Sequence, residues 1–378
     1  MVDAKDFVKA LRNEGAGLFT GVPDSLLSKL SAYLLNDSSI QHIIAANEGN
    51  AIGLAIGDYL ATDRPAVVYM QNSGLGNVVN PLTSLACPDV YSIPMVLVIG
   101  WRGEPGKKDE PQHVMQGEIT IGQLNILNIP YAIVDAETDI KETISKIWKK
   151  MLRLSGPVAL LVRKGALIGD YSVPKEQGQY LLTREKALAC LIDTLDADTF
   201  FVATTGKTGR ELYELREHRH QSQHDFLTVG GMGHASSIAL GVALHQKKRW
   251  TVCLDGDGAS LMHMGAMATL NAYKPRRFIH VILNNFAHES VGGQPTVSKN
   301  VNYESLSMAF GYDQYFQTST EEEIINTINK IKYKEGVFLL EIRLTMGSRK
   351  DLGRPKQSPI ENKNSVQEFL EIECQTSN

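Results

Sequence analysis

The chain has 378 residues, of which 43% are hydrophobic and 21% are charged, and its formal net charge is −4. This length allows two domains with separate cores, and the mildly acidic balance gives no reason to expect a nucleic acid as partner. The four cysteines are scattered, no apolar run approaches the roughly 20 residues that span a bilayer, and the N-terminus has an amphipathic pattern instead of a signal peptide, which together indicate a cytoplasmic protein without membrane contact.

The first half of the chain alternates helical periodicity with short, mostly apolar strands. Helices are predicted over residues 3–15, 24–34, 48–62 and 140–154, and strands over 16–22, 41–46, 65–70, 94–100, 130–135 and 157–163. Asp24, which follows Pro23, is predicted to cap the second helix. Continuous apolar strands separated by helices indicate a parallel sheet with helices on both faces.

The second half repeats this pattern after a stretch of low periodicity. Helices are predicted over 184–195, 209–219, 235–246, 261–273 and 321–333, and strands over 198–205, 225–230, 250–256, 278–285 and 336–344. We therefore expect an α/β protein with two doubly wound parallel-sheet domains at 1–165 and 184–356. Residues 166–183 are predicted to be a linker, and residues 357–378 a polar tail that is ordered only in part.

Polar residues follow two strands of the second domain at the point where each strand ends. The stretch "DGDGA" (255–259) ends one strand, and Asn284–Asn285 end the next. Parallel sheets bind ligands at the carboxyl ends of their strands, and glycines there let backbone N–H groups approach a phosphate. Asp257 adds a hard oxygen that suits Mg²⁺ beside a diphosphate. A lone Gly-Asp-Gly is also a common turn, but its register with the two asparagines favours a cofactor site.

The GDG turn, followed by NN after the 25 residues 259–283, resembles the signature of the thiamine-diphosphate (ThDP) enzyme family. By that resemblance, Asp257, Asn285 and the backbone carbonyl of Ala287 are expected to bind Mg²⁺. Glu48, in "ANEGNAIG", matches the carboxylic acid that activates the cofactor in this family. The plainer interpretation of Glu48 is a helix-start glutamate that complements the helix dipole.

The resemblance implies further cofactor contacts and a subunit arrangement. Met232 is expected to separate the two rings of the cofactor, or else to be a core residue, and Gly230 to offer its carbonyl. In this family the site forms between the pyrimidine-binding domain of one subunit and the diphosphate-binding domain of another, so we expect at least a homodimer. The expected cofactor-binding residues are Glu48, Asn72, Gly74, Thr205, Gly206, Thr208, Gly230, Met232, Gly256, Gly258, Ala259 and Ser260.

The predicted linker is too short for the middle domain of the larger ThDP decarboxylases. The chain is similar to the two-domain members that decarboxylate phosphonopyruvate or sulfopyruvate, in stretches such as "DEPQH", "NNFAHESVGGQPT" and "GSRKDLGRP". The match favours the phosphonate branch. It implies a small anionic 2-oxo acid as substrate, namely 3-phosphonopyruvate, which would yield CO₂ and phosphonoacetaldehyde in phosphonate biosynthesis.

A phosphonate calls for basic side chains, and proton transfer calls for titratable ones. Asp24 and His113 match positions of polar active-site groups in the family, although an ordinary loop histidine explains His113 equally well. His218, His220 and His224 are expected at the surface. The phosphonate candidates are Arg349, Lys350 and Arg354, followed by Arg102 and Lys299. For each of these basic residues, a solvated surface charge is the alternative. His288 and Glu289 could also face the substrate.

Three other interpretations remain open. The groups that bind a phosphonate can also bind a sulfonate. A ThDP-binding protein without catalytic activity would be expected to lack the activating acid, whereas Glu48 is present. A GDG protein that binds another nucleotide would leave Glu48 and the "GGMG" stretch unexplained.

Overall fold

The computed structural model describes residues 1–174 and 179–376, which form two compact units. The first unit begins at Met1, extends past residue 165, where the predicted first domain ends, and also contains His288–Pro295. The second unit contains the remaining residues. Among the described helices, none combines the length and the hydropathy that crossing a bilayer requires.

The first half of the chain folds around a six-stranded sheet in the order β3-β2-β4-β5-β7-β6, with all neighbouring strands parallel. Asn72–Gly74 and Leu82–Ala86 form short 3₁₀ and π turns on either side of one helix. The elements are β1 (Val2–Asp3), α1 (Ala4–Glu14), β2 (Phe19–Gly21), α2 (Ser28–Asn36), β3 (His42–Ile44), α3 (Glu48–Thr62), β4 (Ala66–Gln71), α4 (Leu75–Pro81), β5 (Met95–Gly100), α5 (Pro111–Ile126), β6 (Tyr131–Val134), α6 (Ile140–Leu154), β7 (Val158–Val162) and β8 (Leu167–Ile168).

The second half folds around another six-stranded parallel sheet, in the order β10-β9-β11-β12-β16-β15. Its elements are α7 (Arg184–Thr194), β9 (Phe200–Ala203), α8 (Lys207–His218), β10 (Phe226–Leu227), α9 (Ala235–Ala243), β11 (Thr251–Gly256), α10 (Asp257–Met262), α11 (Gly265–Tyr273), β12 (Arg277–Asn284), β13 (Ala287–His288), β14 (Gln294–Pro295), α12 (Tyr303–Phe310), β15 (Gln314–Thr318), α13 (Glu321–Ile331), β16 (Gly336–Arg343) and α14 (Pro359–Thr376).

The two sheets share one topology, because the strands of each follow the same order when they are numbered along the chain. Apolar clusters cover both faces of both sheets, and the central strands β5, β7, β11 and β12 are almost entirely buried. Buried apolar strands between helical layers are what the continuous hydrophobic runs predicted. The prediction of two doubly wound parallel-sheet domains is thus confirmed.

Helix α3 has its predicted bounds, Glu48–Thr62, and local contacts define both of its ends. The Asn47 side chain caps the helix by accepting from the N–H of Gly49 at 2.7 Å, and Asp63 ends it in the left-handed conformation with φ 55°. Such caps satisfy backbone groups that a helix end leaves without partners. Because β3 ends at Ile44 and α3 begins at Glu48, the Glu48 side chain lies near the carboxyl end of β3.

The predicted cap of α2 is wrong. The helix begins at Ser28, not at Asp24, and its cap residue Leu27 provides no side-chain hydrogen bond. The Asp24 carboxylate instead accepts from the N–H of Leu26 at 2.9 Å and from Gln71 Nε2 at 2.7 Å. Asp24 therefore caps the turn that precedes α2 and also contacts the neighbouring strand β4 through Gln71.

Two segments have more structure than their composition suggested. Within the predicted linker, Leu167–Ile168 pair with Val2–Asp3 as parallel strands. The tail, expected to be ordered only in part, forms the 18-residue helix α14. Its Phe369 ring stacks on His224 at 3.8 Å between centroids, so His224 is buried and the predicted surface position was wrong for this histidine.

Several elements escaped sequence analysis because their patterns are short or weakly amphipathic. These are α4, α5, α12 and β15. His113 lies in the first turn of α5, not in a loop, so the loop interpretation of that residue is wrong. The helix predicted over 261–273 is divided into α10 and α11 by a break at His263–Met264.

Candidate active site

The GDG motif of the second unit sits at the carboxyl end of β11, beside the asparagine pair. Gly256 is the last residue of β11, and Asp257 is the first residue of α10. The neighbouring parallel strand β12 pairs Leu283 with Gly256 and ends at Asn284. Because parallel strands end at the same edge of a sheet, the turn and the asparagines lie side by side.

Asp257 is a buried carboxylate whose hydrogen-bond donors are uncharged. Its side chain is 2% exposed, and its Oδ2 accepts from the hydroxyls of Thr296 and Ser298, the latter at 2.9 Å. Burial raises the pKa of Asp257 to about 6, and the two hydroxyl bonds only partly oppose that rise. A carboxylate in such surroundings gains most from a cation, because hydroxyl groups supply no formal charge.

The loop after β12 is shaped by its own asparagines. Asn284 Oδ1 accepts from the N–H of Phe286 at 3.2 Å, and Asn285 Oδ1 accepts from the N–H of Ala287 at 3.1 Å. Phe286 has φ 62°, a left-handed conformation that is uncommon for a large residue and that often marks a functional turn. The predicted Mg²⁺ ligands, namely the amide of Asn285, the carbonyl of Ala287 and the Asp257 carboxylate, all offer oxygen atoms, which Mg²⁺ prefers. Their binding of the ion remains a prediction.

Two other predicted cofactor motifs meet this turn within the second unit. Thr205 Oγ1 donates to the carbonyl of Val229 at 3.0 Å, which joins the end of β9 to the "VGGMG" stretch. Gly233 has φ 85°, and a Cβ there would lie 3.0 Å from the carbonyl oxygen of Ala259. Only glycine allows this approach, so the structure brings "TTGKTG", "VGGMG" and "DGDGA" together.

The remaining predicted cofactor residues of the second unit differ in exposure. Ser260 is buried, and its Oγ donates to the carbonyl of Asp257 at 2.9 Å. Thr208 is also buried, whereas Gly206 is exposed and Met232 is half-buried. A half-buried methionine beside the glycine turn is compatible with a partly exposed apolar wedge. Contacts of these residues, and of Gly230, Gly256, Gly258 and Ala259, with a cofactor remain predictions.

Glu48 is held in a defined position within the first unit. The side chain is 6% exposed, and Asn77 Nδ2 donates to Glu48 Oε2 at 2.7 Å. A Cβ on Gly74 would lie 2.7 Å from Glu48 Oε1, so the absence of a side chain at Gly74 makes room for the carboxylate. Gly74 therefore has a steric role towards Glu48, in addition to the cofactor contact that remains a prediction.

Asn72 links two strand ends of the first unit. Its Nδ2 donates to the carbonyl of Arg102 at 2.8 Å and to Thr120 Oγ1 at 2.9 Å, while its Oδ1 accepts from the N–H of Arg102 at 3.1 Å. Both N–H donors of this fully buried amide are engaged within the chain. The structure thus assigns Asn72 a role in joining the ends of β4 and β5, and its contact with a cofactor remains a prediction.

Asp24 is fully buried at the carboxyl ends of β2, β4 and β5. Burial is the largest effect on the pKa of Asp24 and raises it above its usual value of 3.8, although Gln71, Leu26 and Arg102 act in the opposite direction. A Cβ on Gly100 would lie 2.1 Å from Asp24 Oδ2, so the backbone of β5 passes directly over the carboxylate. A buried carboxyl group with a raised pKa is suited to hold and release a proton.

Arg102, in the first unit, interacts electrostatically with both Asp24 and His113. The Arg102 guanidinium pairs with Asp109, with Nε to Oδ2 at 2.8 Å, and donates to Ser25 Oγ at 3.0 Å. Burial, followed by the charge of Arg102, lowers the pKa of His113, so its imidazole is neutral at pH 7. Arg102 therefore links Asp24 and His113 electrostatically, and these three residues, which lie in separate stretches of the sequence, form a charged cluster.

Replacing Asp24 by asparagine tests this cluster. Because its pKa is raised in the folded chain, the folded state loses stability relative to the unfolded chain as the pH rises above about 4, until the folded-state pKa is passed. Asparagine does not titrate, so we expect the melting temperature of Asp24→Asn, relative to that of the unsubstituted protein at the same pH, to increase as the pH rises from about 4 through the folded-state pKa of Asp24. Turnover should fall about a hundredfold if Asp24 transfers a proton.

Differential scanning fluorimetry at several pH values measures the first effect, and CO₂ release measures the second. Asp58→Asn, in α3, is a control for the loss of one carboxylate outside the cluster. A melting-temperature difference that does not change with pH would contradict the burial argument.

The predicted phosphonate-binding stretch is anchored to α8 in the second unit. Arg349 Nε lies 2.9 Å from both carboxylate oxygens of Glu185, and the same guanidinium pairs with Glu214 and with Asp351. Three carboxylates make the surroundings of Arg349 net negative, which disfavours a further anion. The side chains of Lys350 and Arg354 are exposed, as is that of Lys299. All four remain predictions as phosphonate ligands.

The residues that follow Ala287 were secondary candidates. Burial lowers the pKa of His288 to about 4, so this imidazole is neutral at pH 7. Glu289 begins a short 3₁₀ turn, Glu289–Val291. Four residues that contact Asp257, Glu48 or Asp24 were not among the predicted site residues, namely Thr296, Ser298, Asn77 and Gln71. The quoted stretch "GGQPT" includes Thr296 but carries no periodic signal that predicts this contact.

Comparisons with known proteins agree with this geometry. Residues 1–125 match the family model described as "Thiamine pyrophosphate enzyme, N-terminal TPP binding domain", and residues 204–342 match the corresponding C-terminal TPP binding domain. A phosphonopyruvate decarboxylase from Streptomyces viridochromogenes is 34% identical over 96% of this chain and 93% of its own length. A sulfopyruvate decarboxylase from Methanosarcina acetivorans is 25% identical over 97% of both chains.

Among solved structures, benzoylformate decarboxylase from Polynucleobacter necessarius aligns with 92% of this chain and 100% of its own, with 12% sequence identity and a TM-score of 0.39.

Proposed function

The chain belongs to the thiamine-diphosphate-dependent 2-oxo acid decarboxylase family, and we propose that it converts 3-phosphonopyruvate to phosphonoacetaldehyde and CO₂ with the aid of Mg²⁺. The observation that carries the choice of substrate is its similarity, over nearly the whole chain, to two Streptomyces enzymes named phosphonopyruvate decarboxylase. Identity to the full-length sulfopyruvate enzyme is lower, so sulfopyruvate is the second candidate.

The residues of the second unit would hold the cofactor by its charged end. Asp257, Asn285 and the carbonyl of Ala287 would bind Mg²⁺, and the glycine-rich turns around them would bind the diphosphate. When bound, ThDP supplies the electron sink that accepts the electron pair left behind when CO₂ departs. Because Asp257 is buried, water would screen its attraction for the cation less than at the surface.

The residues of the first unit would handle protons. Glu48 would hold a proton at its carboxyl group, in the position that Asn77 and Gly74 define, and share it with the pyrimidine of the cofactor. Asp24, buried and with a raised pKa, would carry the proton that replaces the departing carboxyl group. Arg102 would orient an anionic group of the substrate nearby, because two of its nitrogens are already fixed by Asp109.

The substrate is tested by incubating the purified full chain with ThDP and Mg²⁺ and offering phosphonopyruvate, sulfopyruvate and pyruvate in parallel. We expect CO₂ release with phosphonopyruvate at a kcat/KM at least about tenfold above that with pyruvate, because one charge-assisted contact to the second anionic group provides that much discrimination. We also expect kcat/KM to be higher with phosphonopyruvate than with sulfopyruvate. A preference for sulfopyruvate would favour the second candidate. Release from none of them would contradict the proposed reaction.

Arg354→Ala tests the basic stretch. We expect this substitution to lower kcat/KM for phosphonopyruvate about tenfold while changing kcat/KM for pyruvate little, because only the former substrate carries the second anionic group. Arg349→Ala should have a smaller selective effect, since three carboxylates surround its guanidinium. Lys356→Ala, which removes an exposed ion pair with Glu217, is the control. Equal losses for both substrates would place the phosphonate elsewhere, with Arg102 the next candidate.

The same proposal includes a homodimer, since the family builds its site from domains of two subunits, and a cytoplasmic location, since the four cysteines lack disulfide spacing. Light scattering of the purified protein checks the first point: a monomer that is fully active would contradict it.

A further inference from the structure

Ser298 connects the two halves of the metal-binding motif. Its Oγ lies 2.9 Å from Asp257 Oδ2 and 3.0 Å from Asn284 Oδ1, and the residue is 1% exposed. These partners precede it in the chain by 41 and 14 residues. A hydroxyl has one proton, so Ser298 can donate to only one of the two oxygens at a time, while its oxygen also lies 2.8 Å from Thr296 Oγ1.

Asn284 is fixed from its other side by a buried glutamate. Its Nδ2 donates to Glu341 Oε1 at 2.8 Å, and Glu341 is 1% exposed. Glu341 Oε2 accepts from the hydroxyl of Tyr315 at 2.6 Å, and Oε1 also accepts from Arg343 Nε at 3.2 Å. The amide of Asn284 is therefore oriented, with its oxygen towards Ser298 and its nitrogen towards Glu341.

These contacts form a continuous chain across the sheet of the second unit. Asp257 follows β11, Asn284 ends β12, Glu341 lies in β16 and Tyr315 lies in β15, and these four strands are neighbours in that order. Glu341 is a costly residue to bury unless its hydrogen bonds are satisfied. Both of its oxygens accept hydrogen bonds, Oε1 from Asn284 and Arg343 and Oε2 from Tyr315.

We propose that Ser298 and Glu341 are positioning residues for Mg²⁺: Ser298 holds Asp257 in register with the asparagine pair, and Glu341 fixes the amide of Asn284 that Ser298 contacts. Asn284 in turn shapes the loop that presents Asn285 and the Ala287 carbonyl, because its Oδ1 accepts from the N–H of Phe286. This inference rests on the proposed assignment of Asp257 and Asn285 as metal ligands. Partners that orient metal ligands contribute to affinity through geometry, without touching the ion.

Titration of the full chain with Mg²⁺ at saturating ThDP, followed by intrinsic fluorescence or calorimetry, tests this proposal without any substrate. We expect Ser298→Ala to raise the apparent Kd for Mg²⁺ about 10–100-fold, and Glu341→Gln to raise it less, since glutamine keeps one acceptor oxygen. Ser307→Ala is the matched control. Ser307 is a buried serine of the same unit whose Oγ bonds to the carbonyl of Glu304 at 2.7 Å, and its Kd should change less than about twofold.

A second readout separates positioning from a general loss of structure. Excess Mg²⁺ should restore the kcat of Ser298→Ala to near the value of the unsubstituted protein, whereas a destabilised fold would not recover in this way. An unchanged Mg²⁺ affinity in a folded Ser298→Ala variant would overturn the proposal. If that variant does not fold, an unchanged affinity in Glu341→Gln would do the same. Normal Mg²⁺ binding by Asp257→Ala would instead show that the metal assignment itself is wrong.

Discussion

Glu48→Gln is expected to lose nearly all turnover while still binding ThDP and Mg²⁺. The amide has almost the same shape as the carboxyl group and still fits the space that Gly74 leaves. It can also keep a hydrogen bond with Asn77, since the oxygen of the amide accepts as Oε2 of Glu48 does. It cannot exchange a proton with the cofactor near neutral pH, so we expect kcat to fall about 10²–10⁴-fold.

CO₂ release at saturating substrate measures this loss, and a ThDP titration in the presence of Mg²⁺ measures cofactor binding. Glu118→Gln is the control, because Glu118 is an exposed carboxylate of α5 in the same unit. Unchanged turnover in Glu48→Gln would remove the proposed activating role. Loss of cofactor binding together with turnover would show that the carboxylate mainly serves binding.

Asp257→Ala is expected to abolish Mg²⁺-dependent cofactor binding, with a loss of apparent Mg²⁺ affinity of about a hundredfold or more. Asp257 is the charged member of the predicted ligand set, and the groups that donate to its Oδ2 are uncharged hydroxyls. Burial of this carboxylate raises its pKa to about 6, because ionisation away from water costs free energy in the absence of a cation. The metal would offset that cost.

The substitution should therefore affect the melting temperature differently without and with ligands. Without metal, removal of a buried charge should preserve or raise the melting temperature. With Mg²⁺ and ThDP, the increase in melting temperature that ligands normally produce should disappear. Asp198→Ala removes an exposed carboxylate of the same unit and should retain the full increase. A normal Mg²⁺-dependent increase in Asp257→Ala would refute the metal assignment.

The positions of these two residues came from local patterns. Glu48 was expected at the start of a helix because small and apolar residues recur with helical period after it, and α3 begins there. Asp257 and Asn284–Asn285 were expected at strand ends because each follows an apolar run, and β11 and β12 end there. The fold class followed in the same way, since continuous apolar strands alternating with helices specify a covered parallel sheet.

Where local pattern and tertiary contact compete, the sequence misleads. Asp24 after Pro23 has the residues of a helix cap, yet its carboxylate bonds to Gln71, a residue 47 positions away, and α2 begins four residues later. The polar composition of the tail predicted partial order, whereas Phe369 stacking on His224 stabilises a helix there. Arg349 is a residue type that commonly binds anions, but its guanidinium pairs with the carboxylates of Glu185, Glu214 and Asp351.

Local sequence patterns predicted two parallel-sheet units, the strand ends that carry Asp257 and the asparagine pair, and the helix start that carries Glu48. These features depend on hydrophobic period and on turn residues, which act over a few positions of the chain. The hydrogen bond between Ser298 and Asp257, 41 residues apart, and that between Glu341 and Asn284, 57 residues apart, exist only in the folded chain. Such contacts depend on strand order and side-chain burial, and a single serine or glutamate leaves no periodic trace of them in the sequence.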